Sequence, residues 1–165
     1  PAAAASPKRH IAVLTTASTA RSTRLARLIR THAGSIRVDV LPCPGWATQV
    51  ESLAIDDPSF AEAARRHLAP ALDAGADRIV LGCTHYAFLA PLLEPIVAGR
   101  ASLVDVADAV ACQCLRKAGP AVNGNGTLTL LATAQPARLE TALPRLGLAR
   151  LAERLIAPAA LAMDV

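Results

Sequence analysis

The strongest constraint on this fold is a repeated pattern. Short apolar runs each end in a small polar cluster, and a helical pattern follows. Residues 11–14 (Ile-Ala-Val-Leu) lead into Thr15 and Thr16. Residues 36–41 alternate, are rich in β-branched side chains, and end at Pro42-Cys43-Pro44-Gly45. Residues 78–81 end at Gly82-Cys83-Thr84-His85, residues 101–104 at Asp105, and residues 127–132 at Thr133. Runs of this length between turn residues read as strands. Their alternation with helices over short joints predicts an α/β fold: a parallel sheet of four or five strands flanked by helices. In such a sheet the strand ends share one edge, so the polar clusters converge there and a cleft is expected.

The intervening segments carry helix signals. A helix is expected over 20–32, capped by Ser18 or Thr19, with Leu25, Leu28 and Ile29 inward and Gly34 at its end. A short helix over 46–53 carries Glu51. Ser59 and Glu62 read as a capping box for a helix reaching residue 74, kinked at Pro70 and stopped by Gly75. Leu89, Leu92, Leu93 and Ile96 mark the next helix, and residues 106–118 another. Residues 120–126 read as a connector, Gln135-Pro136 as a helix start, and Leu148, Leu151, Leu155 and Ile156 as a final helix.

At 165 residues the chain is long enough for one domain with a core. Only 2% of it is aromatic, which argues against single-stranded nucleic-acid binding by base stacking. The net charge of +4 is compatible with an acidic small-molecule substrate. Arg21, Arg24, Arg27 and Arg30 recur at every third position; a solvated helix face is the plain reading and a phosphate patch the sharper one. Cys43, Cys83, Cys112 and Cys114 lack disulfide-framework or zinc spacing, so a reducing, cytoplasmic compartment is expected. No apolar stretch approaches the ~18 residues of a membrane span. Residues 1–9 read as a linker; the leading proline fits either loss of an initiator methionine or a cut from mid-chain.

Cys83 is the chemical focus. Gly82 before it allows close approach, and a thiol at a helix start is shifted toward thiolate. His85 is near enough in sequence to hold or supply a proton. Thr15, Thr16, Ser18 and Thr19 offer hydroxyls and N–H groups suited to a carboxylate, or to plain helix capping. Glu51 fits a helper base or a substrate-amine contact, and equally a surface glutamate. Asp105 is placed to fix an imidazole or a loop. Cys43 reads as structural, and His10, His32 and His67 as incidental. No metal site and no nucleotide motif is evident.

The run Leu81-Gly82-Cys83-Thr84-His85-Tyr86 resembles the signature of bacterial glutamate racemase, within the aspartate/glutamate racemase superfamily. Residues 11–19 with Ser22, Pro42-Cys43-Pro44-Gly45-Trp46 with Val50-Glu51, Val104-Asp105 with residues 108–111, and residues 127–133 match further family segments in order. The resemblance covers residues 8–148 and is to the C-terminal part only. The N-terminal half, with its Ala-Cys-Asn-Thr-like run and first catalytic cysteine, is not found in the chain.

The resemblance implies a cofactor-independent isomerase that interconverts L- and D-glutamate by two-cysteine proton transfer for peptidoglycan synthesis. It implies Cys83, His85 and Glu51 as catalytic residues and Thr84, Thr16, Thr19 and Thr15 as substrate-binding. It implies no cofactor, no metal, no nucleic-acid partner and no membrane. Residues 1–9 are then a linker-like start, 10–126 the racemase-like domain, and 127–165 elements that pack on the other domain. A fragment inactive alone, a homodimer that shares a site, a non-catalytic binder of acidic amino acids, and a racemase or decarboxylase for another carboxylate are the readings that follow. Exposed apolar faces are expected around Leu130, Leu143 and Leu151.

Overall fold

The computed structural model describes residues 1–119, 126–132 and 135–162. The connector expected over 120–126 lies outside them except for Gly126, and so does Thr133. The chain divides into two compact units, Pro1–Lys117 and Ala118–Val165.

The first unit is built on four parallel strands: β1 (His10–Thr15), β2 (Arg37–Pro42), β3 (Arg78–Leu81) and β4 (Ser102–Val104). Their order is β2-β1-β3-β4. β1 is central and buried along its whole length, as its unbroken apolar run requires. The register pairs Thr15 with Pro42, Leu14 with Leu81 and Val80 with Val104, so all four C-terminal ends lie on one edge.

Six helices of this unit and one tight turn link and flank the sheet. They are α1 (Ala17–Ala20), α2 (Thr23–Ala33), α3 (Trp46–Glu51), α4 (Pro58–Asp73), the 3₁₀ turn Thr84–Leu89, α5 (Ala90–Val97) and α6 (Ala107–Ala118). Ala64, Leu68, Ala71 and Leu72 of α4 are buried as their spacing predicts. Leu68, Ile79, Leu81 and Leu93 are fully buried. Each such side chain contributes about 1.5–3 kcal/mol by leaving water.

Several local expectations are corrected. The single helix over 20–32 is two helices, because Ser22 is extended and its hydroxyl caps α2 through the Leu25 N–H. Thr16, not Ser18 or Thr19, caps α1. Asp57, not Ser59, caps α4 by accepting from the Ser59 N–H and hydroxyl. Leu28 is 56% exposed instead of inward. Residues 1–9 are not a loose linker. The Ser6 hydroxyl and the Lys8 N–H both donate to Asp77 at 2.6 Å, and Ser6 is buried. Burial alone would raise the Asp77 carboxyl. Those two hydrogen bonds, with the Arg78 and Lys8 charges, outweigh it and hold the group below the usual range.

The second unit contains β5 (Leu128–Ala132), α7 (Pro136–Arg145), α8 (Ala149–Ala152) and β6 (Leu155–Ala162). β5 and β6 pair in parallel as a two-stranded sheet. The expected final helix is therefore short, and Leu155 and Ile156 belong to a strand. Pro158 explains this: it lacks the N–H a helix interior needs and falls where the β5–β6 register slips. Of the three leucines expected on exposed faces, Leu143 is buried, Leu130 is half-buried and Leu151 is exposed.

Candidate active site

Cys83 leaves β3 at the shared C-terminal edge of the sheet. Gly82 makes that exit possible. Its N–H donates to the Leu14 carbonyl at 2.9 Å, and a Cβ there would sit 2.6 Å from the same oxygen. Only glycine allows β1 and the end of β3 to approach so closely. Cys83 is extended, and the 3₁₀ turn begins at Thr84.

The turn places His85 back over Cys83. Cys83 Sγ lies 3.8 Å from His85 Nδ1. His85 Nε2 lies 2.6 Å from Glu51 Oε1. A carboxylate only accepts, so Nε2 carries the hydrogen in this contact and Nδ1 presents its lone pair to the thiol. The three groups form one line: thiol, imidazole, carboxylate. His85 is half-buried and Glu51 exposed, so the line opens to solvent.

Glu51 reaches this place from the far end of α3, 34 residues before His85. The two segments are tied together below the site. Tyr86 is fully buried and its hydroxyl donates to the Cys43 carbonyl at 3.2 Å. Trp46, the first residue of α3, packs its ring against Tyr86, Phe60 and His67 at 5.7, 5.3 and 5.7 Å between centroids. Sequence reading missed this cluster. The nearness of Trp46 to the Pro-Cys-Pro turn was its only signal.

The other site residues fare differently. Thr84 is exposed beside Cys83. Thr16 and Thr19 lie at the end of β1, on the same sheet edge. Thr16 Oγ1 accepts from the Thr19 N–H and donates to Thr19 Oγ1 at 3.0 Å. Thr15 does not present its side chain for binding. It is 1% exposed, and its hydroxyl has no hydrogen-bond partner among the described residues. Asp105 accepts from the Ala107 N–H and so starts α6 instead of holding an imidazole.

Cys43 is structural, as expected. Its thiol is buried, directed to the Leu41 carbonyl at 3.3 Å and against His67 Nε2 at 3.6 Å. Burial pushes it up to about 12. His67 is not incidental, since it packs against both Cys43 and Trp46. His10 is not incidental either. It bonds Asp39 at 2.8 Å and the Ala74 carbonyl at 3.2 Å, at the opposite edge of the sheet.

The chain is similar to known proteins in sequence and fold. The family model described as Asp/Glu/Hydantoin racemase matches residues 1–115. A glutamate racemase of Ectopseudomonas mendocina is 40% identical over 119 residues, which cover 72% of this chain and 45% of that protein. One of Roseiflexus sp. is 36% identical over 154 residues, 90% of this chain and 57% of that protein. The fold matches the crystal structure of glutamate racemase isoform RacE1 from Bacillus anthracis. The TM-score is 0.81 over 99% of this chain and 60% of that one, at 21% identity. The Thermus thermophilus glutamate racemase, in complex with beta-chloro-D-alanine, gives a TM-score of 0.72 at 27% identity, over 99% of this chain and 60% of that one.

The expected limit of the likeness is overturned. It is not confined to a C-terminal part with the N-terminal half absent: the family model begins at residue 1, and the structural matches cover 99% of the chain. The chain spans about half the length of the curated relatives it matches. It belongs to the Asp/Glu/Hydantoin racemase family.

Proposed function

We propose that this member of the Asp/Glu/Hydantoin racemase family moves the α-proton of glutamate, with Cys83 as the group that breaks the C–H bond. The single observation behind this reading is the aligned Cys83, His85 and Glu51. His85 Nδ1 takes the thiol proton and leaves a thiolate. Glu51 holds the imidazole in the required tautomer and stabilises the charge it gains. The thiolate then takes the α-proton: the C–H bond breaks, an S–H bond forms, and the electron pair stays on the α-carbon.

That carbanion sits beside a carboxylate, so the site must offset negative charge. Thr84, Thr16 and Thr19 are assigned to the substrate. Thr19 accepts from Thr16, which leaves its own O–H to donate outward to a carboxylate. Inversion needs a proton returned to the opposite face. In a two-cysteine scheme a second thiol does this. Cys43 does not suit that role: a buried thiol raised to about 12 neither ionises near neutrality nor faces solvent. The reaction serves peptidoglycan synthesis and belongs in the cytoplasm, where thiols stay reduced. Among the described residues, no helix is long and apolar enough to cross a membrane.

The test is α-deuterium incorporation into L- and D-glutamate in heavy water. Incorporation that is lost in Cys83→Ser and slowed in Glu51→Gln is expected. Incorporation unchanged in Cys83→Ser, or absent with both enantiomers, overturns the reading. Binding without incorporation points instead to a non-catalytic binder. Running aspartate and a hydantoin beside glutamate decides the substrate class.

A further inference from the structure

We propose that the outer face of α2 is a binding site for a small phosphorylated ligand, held by Arg24, Arg27 and Arg30. It lies outside the site assigned to proton transfer and uses none of its residues.

Three observations carry this. Thr23, Arg24, Arg27 and Arg30, all on α2 and all exposed, line one open surface depression of about 400 Å³. On a helix these arginines fall within an arc of about 120° and over roughly 9 Å of axis, so they share one face. None of the three forms an ion pair with an acidic side chain of the described residues. The charge around them is one-sided. The first acidic residue of the chain is Asp39, and seven of the 17 basic residues precede it.

A solvated helix face normally intersperses acids and bases at i,i+3 and i,i+4, as α4 does with Glu62, Arg65 and Arg66. α2 has no acid at all and accumulates like charges that repel in the absence of an anion. Guanidinium groups bind phosphate through paired N–H donors, which makes a phosphate cluster the matching ligand. The chain's four aromatic residues, Trp46, Phe60, Tyr86 and Phe88, are absent from the cavity lining. Recognition is therefore of phosphate groups, with no platform for stacking a base. Leu28 adds one exposed apolar side chain, too little to seat the helix in a bilayer.

Calorimetry of the full chain with inorganic tripolyphosphate is the test, at 0.15 M salt. One saturable site is expected. Arg27→Gln should weaken it about tenfold, and Arg24→Gln/Arg27→Gln/Arg30→Gln should abolish it. The control Arg65→Gln/Arg66→Gln should leave it intact. All these positions are exposed, and circular dichroism checks each fold. A nucleoside triphosphate bound as tightly as tripolyphosphate means phosphates alone are read; tighter binding means the attached group contributes. Absence of saturable binding, survival of binding in the triple variant, or binding only to phosphatidylserine vesicles or duplex DNA overturns the proposal.

Discussion

The same sheet carries a histidine–carboxylate pair at each edge, and the two differ in what faces the second imidazole nitrogen. At the N-terminal edge His10 Nε2 meets Asp39 at 2.8 Å; at the C-terminal edge His85 Nε2 meets Glu51 at 2.6 Å. His10 is buried, and its second nitrogen faces the Ala74 carbonyl. His85 is half-buried, and its second nitrogen faces the Cys83 thiol. An imidazole whose two nitrogens both face fixed acceptors can only hold the fold. One with a thiol at its second nitrogen can pass a proton. Burial alone would raise Asp39, but hydrogen bonds from His10 and Arg37 outweigh it, so the carboxyl lies below its usual range. The difference is one of surroundings, and not of residue type.

The sharpest probe of the working edge is its pair of thiols. Near pH 8, with Cys43 raised to about 12, its thiolate fraction is on the order of one in ten thousand. Iodoacetamide followed by peptide mass spectrometry should label Cys83 at least about 100-fold faster than Cys43 in the folded chain. Equal rates would break the distinction between a chemical and a structural thiol.

The two histidines should separate next. His10→Ala opens a cavity at a buried position and leaves Asp39 with Arg37 alone, so it should cost about 1–2 kcal/mol in urea unfolding. His85→Ala removes a contact to an exposed glutamate and should cost less than about 1 kcal/mol. Equal losses would mean that both edges are structural.

Ser6→Ala tests the structural edge through pH. It removes a hydrogen bond to buried Asp77 and should cost about 1–2 kcal/mol at pH 7. Asp77 is lowered in the fold, so its contribution is complete above the ordinary carboxylate value and is lost as pH falls through the folded value. The gap between Ser6→Ala and the parent chain should therefore narrow below about pH 4. A gap that stays constant down to pH 2 would remove Asp77 from the account.

The smallest effect belongs to Glu51. Glu51→Gln should change stability by less than about 0.5 kcal/mol, because the pair is exposed. It should still slow Cys83 alkylation at pH 7 by roughly two- to fivefold, since the amide neither fixes the tautomer nor stabilises an imidazolium. Unchanged alkylation would detach Glu51 from the thiol.

Much of this edge was legible in the chain. The strand endings at Thr15, Pro42, Leu81 and Val104 marked one sheet edge, and Gly82-Cys83-Thr84-His85 marked the thiol and imidazole placed on it. Caps were misread where several hydroxyls or carboxylates lay within one turn, as at Thr16, Ser22 and Asp57. Such residues compete locally, and only the backbone angles choose among them. The last strand was misread because Leu148, Leu151 and Leu155 fit a helical period that Pro158 interrupts too late to be noticed.

The sequence by itself determined the α/β class, a parallel sheet of short strands, and Cys83 at the shared strand-end edge as the thiol to propose for the chemistry. Those follow from local periodicity and from glycine at one forced close approach. Tertiary structure alone decided which carboxylate meets which histidine. Glu51 and His85 are 34 residues apart, and His10 and Asp39 are 29 apart. Nothing local distinguishes the two pairs. Packing does: the Trp46–Tyr86 contact and the Tyr86–Cys43 hydrogen bond bring α3 to the open edge, while Asp39 is carried by β2 to the closed one.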